Sequence, residues 1–140
     1  MAKVSVIIPC YNLGEYINEA IDSVLAQTFQ DFELIVVNDG STDRKTLQIL
    51  NSLKNSQIKI NHTVNEGLAK ARNYGISKAA GKYILPLDAD DKIAPKYLEK
   101  AVKVLDENEN IGIVYCQAKF FGEDNSEWNL PQYELSKILI

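Results

Sequence analysis

Apolar residues alternate between two patterns along the chain. Val4–Pro9 is a short β-branched run, apolar at nearly every position, as in a strand buried on both faces. Ile17, Ala20, Ile21, Val24 and Leu25 then recur at helical spacing and form one stripe of an amphipathic helix. Phe32–Val37 repeats the strand pattern. Leu47, Leu50 and Leu53 repeat the helical one, behind Ser41, Thr42 or Asp43 as the cap. Ile58–His62 reads as a weaker third strand. Leu68–Lys78 reads as a third helix, with Leu68, Ala71 and Ile76 as inward candidates and Gly81 as its stop. Tyr83–Leu87 is a fourth strand in which Pro86 limits pairing. Pro95 suits the first turn of a helix carrying Leu98, Ala101, Val102 and Leu105, and Ile111–Cys116 reads as a fifth strand. The order βαβαβαβαβ predicts an α/β fold, a mostly parallel open sheet flanked by helices on both faces.

After Phe121 the pattern degrades. Glu123–Pro131 is polar with one Trp, and Tyr133–Ile140 reads as the opening of a helix. The apolar ending Ile138-Leu139-Ile140 suits either a final docking helix or a chain cut short.

Composition narrows the class. With 140 residues, 46% apolar and 24% charged, the chain is expected to be one globular domain and not a disordered segment. A net charge of −4 argues against a nucleic-acid or anionic-membrane partner. No apolar stretch approaches the roughly 18–20 residues that span a bilayer, and Val4–Pro9 is too short for a signal-peptide core. The expectation is a soluble, cytoplasmic protein. Cys10 and Cys116 show no disulfide or metal spacing and read as small buried apolar residues. The single histidine, His62, excludes any site built on several histidine ligands.

Polar residues gather where the predicted strands end, which is where open parallel sheets bind ligands. Strand one ends in Pro9-Cys10-Tyr11-Asn12 and strand two in Asn38-Asp39-Gly40-Ser41-Thr42-Asp43. Asn65-Glu66-Gly67 follows strand three, and Asp88-Ala89-Asp90-Asp91 follows strand four. Three carboxylates within four residues repel one another unless a cation or hydrogen-bond donors offset the charge. Mg²⁺ and Mn²⁺ take carboxylate oxygens together with substrate phosphates. Asp90 and Asp88 are therefore the metal candidates, against the plainer reading of a solvated turn. Asp39 is a turn residue or an acceptor for donor groups on a base or ribose. Arg72, beside the inward stripe of the third helix, is a phosphate candidate, whereas Lys70 reads as solvated.

These blocks, together with Ser23-Val24-Leu25-Ala26-Gln27-Thr28, Glu33–Val37 and Ala71-Arg72-Asn73, make the chain resemble the family 2 glycosyltransferases of the GT-A fold. Six separated blocks match in order from Val4 to Asp91. The resemblance implies inverting, hexosyl-class transfer from a nucleotide-sugar, usually a UDP-sugar, to a hydroxyl on a carbohydrate or lipid-linked acceptor, as in polysaccharide biosynthesis. It implies that Pro9, Tyr11 and Asp39 line the uracil pocket, that Arg72 approaches the base or phosphates, and that Asp88 approaches the ribose or donor sugar. Asp90 would ligate Mn²⁺ or Mg²⁺. Asn12, Asn65, Gly67 and Ala89, lying within the same blocks, complete the substrate-binding set.

In that family the general base is a carboxylate in a later segment. Glu123, Asp124 and Glu127 follow the fifth strand too closely to match it. No catalytic base is therefore assigned, and it is expected beyond Ile140. Residues 1–140 are expected to be a single nucleotide-sugar-binding domain, with a core over about 1–117 and the start of an acceptor-side region over 118–140. Such a donor-binding fragment would turn over little or not at all; membrane association of the full-length enzyme, like oligomeric state, is left open. The alternative is a non-catalytic nucleotide-binding or interaction domain. A receiver-type signalling domain fits poorly, because Cys10-Tyr11-Asn12 stands where its acidic pair belongs. A nucleotidyltransferase would need a Gly-rich, basic loop after strand one.

Overall fold

The computed structural model describes residues 2–122 and 124–128. The chain divides into two compact units, Met1–Lys103 and Val104–Ile140. The first carries strands β1 (Val4–Cys10), β2 (Phe32–Asp39), β3 (Ile58–Thr63) and β4 (Tyr83–Pro86). They alternate with helices α1 (Ile17–Leu25), α2 (Arg44–Ser52), α3 (Leu68–Ser77) and α4 (Tyr97–Glu107), the last running on past Lys103. The sheet order is β3-β2-β1-β4 with every neighbouring pair parallel. β1 and β2 lie in the middle and are buried at every position, which is why both read as continuous apolar runs. The strand order reverses at β1: β2 and β3 build out on one side, and β4 returns on the other. Ligand crevices form at such a reversal.

Alternation along the strands assigns the two faces. Val4, Val6 and Ile8 of β1 join Leu34 and Val36 of β2 in one core cluster. The α1 stripe Ile17, Ala20, Ile21 and Val24 belongs to it, with Leu50 of α2 and Leu98 and Val102 of α4. Ile7, Ile35 and Val37 point the other way and pack with Ala71 of α3. The expected mostly parallel α/β sheet with helices on both faces is what forms.

α3 corrects the expectation in detail. Leu68 and Ile76 are exposed, and the buried positions are Ala71 and Gly75. A Cβ on Gly75 would collide with Ile7 Cγ2, so α3 lies close on the sheet and only small residues fit beneath it. α3 ends at Ser77 with Lys78 as its cap, so Gly81 is not its stop. Gly81 instead sits where a Cβ would meet the Ser5 backbone nitrogen at 2.5 Å. α2 is capped by Asp43, whose side chain accepts from the Lys45 and Thr46 N–H groups.

At the amino end of the sheet, Glu33 of β2 is buried inside the structure. Its Oε1 accepts from Ser5 Oγ at 2.6 Å and from the Ala80 N–H at 2.7 Å, and its Oε2 accepts from Lys59 Nζ at 2.7 Å. The Gly81 N–H donates to Ser5 Oγ at 2.9 Å. Burial pushes the Glu33 carboxyl pKa up; the bonds from Lys59, Ser5 and Ala80 outweigh it and hold the pKa at about 2.

In the second unit the expected strand over Ile111–Cys116 does not form. Ile113 and Tyr115 are exposed, as is Cys116, contrary to its reading as a buried residue; Cys10 is buried as expected. A strand needs paired backbone groups and a buried face, and apolar composition supplies neither. Among the described residues of this unit, the strands are the short antiparallel pair β5 (Ala118–Lys119) and β6 (Glu127–Trp128), with Phe120 and Trp128 stacked at 6.1 Å. Glu123 and the helix expected over Tyr133–Ile140 lie outside the described residues. Among the described residues no helix is long and apolar enough to cross a membrane.

Candidate functional site

A cleft of about 270 Å³ opens over the carboxyl ends of β1 and β2. Pro9, Tyr11, Asp39, Asn65 and Gly67 line it, so the structure brings together five candidates from three separate loops. Its remaining walls are Cys10, Leu13, Leu68 and Ala71, which sequence reasoning did not assign to a site. The exposure of Leu68, anomalous for a core residue, follows from this: it stands at the start of α3 beside the opening. Burial raises the pKa of the Cys10 thiol, so Cys10 contributes a neutral apolar wall.

Asp39 is buried and fixes the floor of the cleft. Its Oδ2 accepts from the Gly67 N–H at 2.9 Å, and its Oδ1 accepts from the Glu66 N–H at 3.0 Å and the Thr63 hydroxyl at 3.4 Å. A carboxylate offers about four lone-pair sites, so one remains for a ligand donor. Gly67, the N-cap of α3, has φ +91, a conformation that glycine adopts freely. A Cβ there would meet nothing within 4 Å, and no side chain caps the helix. The first N–H groups of α3 are thus left for solvent or an anion.

The acidic strand end follows β4, the strand paired with β1 on the side away from β2. Asp88–Asp91 closes a turn through the Asp91 N–H to the Asp88 carbonyl at 3.1 Å. Arg72 of α3 reaches over and ion-pairs with Asp88, while its Nε is buried with no hydrogen-bond partner. Asp90 is exposed, and Ala89 is buried in the core, leaving only its backbone to meet a ligand. Burial raises the pKa of the Asp91 carboxyl, and the nearby Asp90 and Asp88 charges push it further. Among the described residues, no three His, Cys, Asp or Glu side chains converge to hold a metal. Asp88 and Asp90 offer carboxylate oxygens, the donor type that a hard divalent cation takes together with ligand oxygens and water.

Asn12 joins two of the loops that carry the candidates. Its Oδ1 accepts from the Thr42 and Asp43 N–H groups at 2.8 and 2.9 Å, and its own N–H donates to Ser41 Oγ at 3.0 Å. Its φ is +56. Asn12 thus ties the loop after β1 to the loop after β2 and leaves Tyr11 exposed at the cleft. Lys70 pairs with Glu66 on the surface, as its solvated reading implied. His62 bonds Asn38 through Nδ1 at 3.0 Å.

The sequence matches the model of glycosyl transferase family 2 over residues 5–139. The chain belongs to this family. An uncharacterized glycosyltransferase of Rickettsia bellii is 49% identical over 107 residues, covering 76% of this chain and 16% of that protein. Crystal structures show the same fold. S. aureus TarS 1-349 in complex with UDP-GlcNAc superposes with a TM-score of 0.71 at 38% identity, over 76% of this chain and 32% of that one. The mannosyltransferase PcManGT of Pyrobaculum calidifontis, in complex with GDP-Man and Mn²⁺, gives 0.64 at 29% identity, over 74% and 32%. This family 2 chain therefore spans a third or less of the length of each of these relatives, and its sheet is that of the GT-A glycosyltransferases.

Proposed function

We propose that this chain binds the donor of an inverting glycosyl transfer, a UDP-sugar, for delivery to a hydroxyl on a carbohydrate or lipid-linked acceptor. The observation that carries the reading is the cleft over β1 and β2 with a cluster of carboxylates beside it. The TarS structure with UDP-GlcNAc supports the donor class.

Pro9 and Tyr11 pack against the base, and the spare lone pair of Asp39 accepts its N–H. Asn65 and Gly67 form the rim through their backbone. Arg72 turns its guanidinium toward the diphosphate, and Asp88 faces the ribose or sugar. Asp90, with Asp88, would hold Mn²⁺ or Mg²⁺, which offsets the charge that builds on the departing diphosphate. The PcManGT complex with GDP-Man and Mn²⁺ supports a divalent metal at a donor site of this fold. Asn12, exposed beside Tyr11, holds the loop that presents Tyr11 to the base and completes the donor-binding set.

Inversion requires a general base on the face opposite the leaving group. The family resemblance puts that carboxylate in a later segment, and this chain spans about a third of the solved neighbours. Donor binding is accordingly the step assigned to residues 1–140. Calorimetric titration of UDP in the presence of Mn²⁺ tests the reading: one site is expected, and Asp90→Ala should weaken it by about tenfold or more. No heat with the wild-type chain, or an unchanged affinity in Asp90→Ala, overturns it.

A further inference from the structure

The block Ser23–Thr28, part of the family resemblance but without a role there, grips the segment that follows the acidic turn. Gln27, at the end of α1, is almost completely buried, at 2% exposure. Its Nε2 donates to the Ala94 carbonyl at 2.9 Å and to the Ser23 carbonyl at 3.0 Å, while its Oε1 accepts from the Leu98 N–H at 3.0 Å. Both amide hydrogens and the carbonyl oxygen are thereby used. Ser23 Oγ accepts from the Ile93 N–H at 3.2 Å, and the Thr28 N–H donates to the Pro95 carbonyl at 2.9 Å. On the surface, Thr28 Oγ1 donates to Glu99 at 2.6 Å and Lys92 pairs with Glu19 at 2.7 Å. Residues 92–99 are therefore fastened to α1 immediately after Asp88-Ala89-Asp90-Asp91.

The acidic turn needs such an anchor. On its near side β4 is only four residues long, and Pro86 supplies no N–H to the sheet. The Arg72 ion pair offsets the charge of Asp88, so the spacing of Asp90 and Asp91, whose like charges repel, depends on how the two arms of the turn are held. The near arm is held by the Leu87 N–H bond to the Ile7 carbonyl at 2.9 Å, with Leu87 and Ala89 in the core. The far arm is held by Gln27 and Ser23.

We infer that Gln27, assisted by Ser23, is a positioning residue that sets the geometry of the acidic turn and with it the affinity for the divalent cation shared with the diphosphate. The inference rests on the donor-binding reading above. Outer contacts that orient metal ligands typically change metal affinity by about 10–100-fold.

The test compares Gln27→Met and Ser23→Ala with wild type in three measurements: thermal stability, uridine binding followed by NMR, and the Mn²⁺ midpoint at saturating UDP. Gln27→Met should raise the Mn²⁺ midpoint about tenfold, and Ser23→Ala, which loses one bond and folds more readily, about threefold. Uridine, which carries no phosphate, should bind both variants within about twofold of wild type, because the base pocket is left intact. Glu33→Gln, which lowers stability at the opposite end of the sheet, should leave the Mn²⁺ midpoint in place. A Mn²⁺ midpoint unmoved in both α1 variants overturns the inference alone. So does a parallel loss of uridine affinity, or an equal shift in Glu33→Gln, since each marks general loosening. A wild-type chain that ignores UDP with Mn²⁺ overturns the donor-binding reading and this inference with it.

Discussion

Two buried carboxylates sit on the same face of β2, six residues apart, and they serve opposite ends of one helix. Glu33 accepts from the Ala80 N–H just after α3, and Asp39 accepts from the Glu66 and Gly67 N–H groups just before it. Both therefore hold α3 against the sheet, but their remaining partners differ. Glu33 adds a hydroxyl and the Lys59 ammonium, with its side chain only 9% exposed. Asp39 accepts instead from two backbone N–H groups and the Thr63 hydroxyl, and it lines an open cleft. The contrast separates a carboxylate whose bonding is completed inside the fold from one that keeps an acceptor site at an open cleft.

Breaking Glu33 should cost stability and spare binding. Glu33→Ala leaves the Ser5 hydroxyl and the Ala80 N–H without their acceptor, and should lower unfolding stability by about 2–4 kcal/mol in urea. The affinity of the folded fraction for UDP should stay within about twofold, because the cleft lies at the other end of α3. Acid should act through the same group. The folded carboxyl has its pKa at about 2, below the ordinary value of 4.5. Its stabilisation, about 3 kcal/mol, is therefore complete above about pH 4.5 and is lost as pH falls toward about 2. Urea midpoints across that range should fall steeply for wild type and more shallowly for Glu33→Gln.

Breaking Asp39 should do the reverse. Asp39→Ala leaves two N–H groups of the 65–67 turn without an acceptor and removes the one facing the ligand. UDP affinity should fall by about 30–100-fold in calorimetry, with a stability loss of about 1–3 kcal/mol. The smallest effect belongs to Lys59, whose side chain is 60% exposed. Lys59→Met should cost less than about 1 kcal/mol and leave UDP binding unchanged. An equally large loss in Lys59→Met and Glu33→Ala would mean that the ion pair, and not the buried hydrogen bonds, holds this end of the sheet.

The same contrast explains what was legible in the amino-acid pattern. β1, β2 and the α1 stripe were readable because large apolar side chains mark burial directly. α3 was legible in its extent and in Ala71, but Gly75 leaves no apolar signal, and Leu68 and Ile76 are exposed, Leu68 beside the cleft. The strand expected over Ile111–Cys116 had the right composition but is exposed, since pairing is not encoded in one segment alone. In the site, strand-end clustering pointed to Pro9, Tyr11, Asp39, Asn65 and Gly67, which share one cleft. Asn12 and Ala89 lie in the same motifs yet serve the loop and the core, because neighbouring residues in a turn point in different directions. Gln27 and Glu33 were invisible as anchors: each acts through contacts with residues dozens of positions away.

The most direct measurement is an NMR titration of the backbone amides with UDP in the presence of Mg²⁺. Shifts concentrated at Tyr11, Asp39, Gly67 and Leu68, with Lys59, Ala80 and Gly81 unmoved, are the expected result. Saturating UDP that moves Ala80 and Gly81 instead, or moves none of these amides, would contradict the assignment of donor binding to the carboxyl end of the sheet.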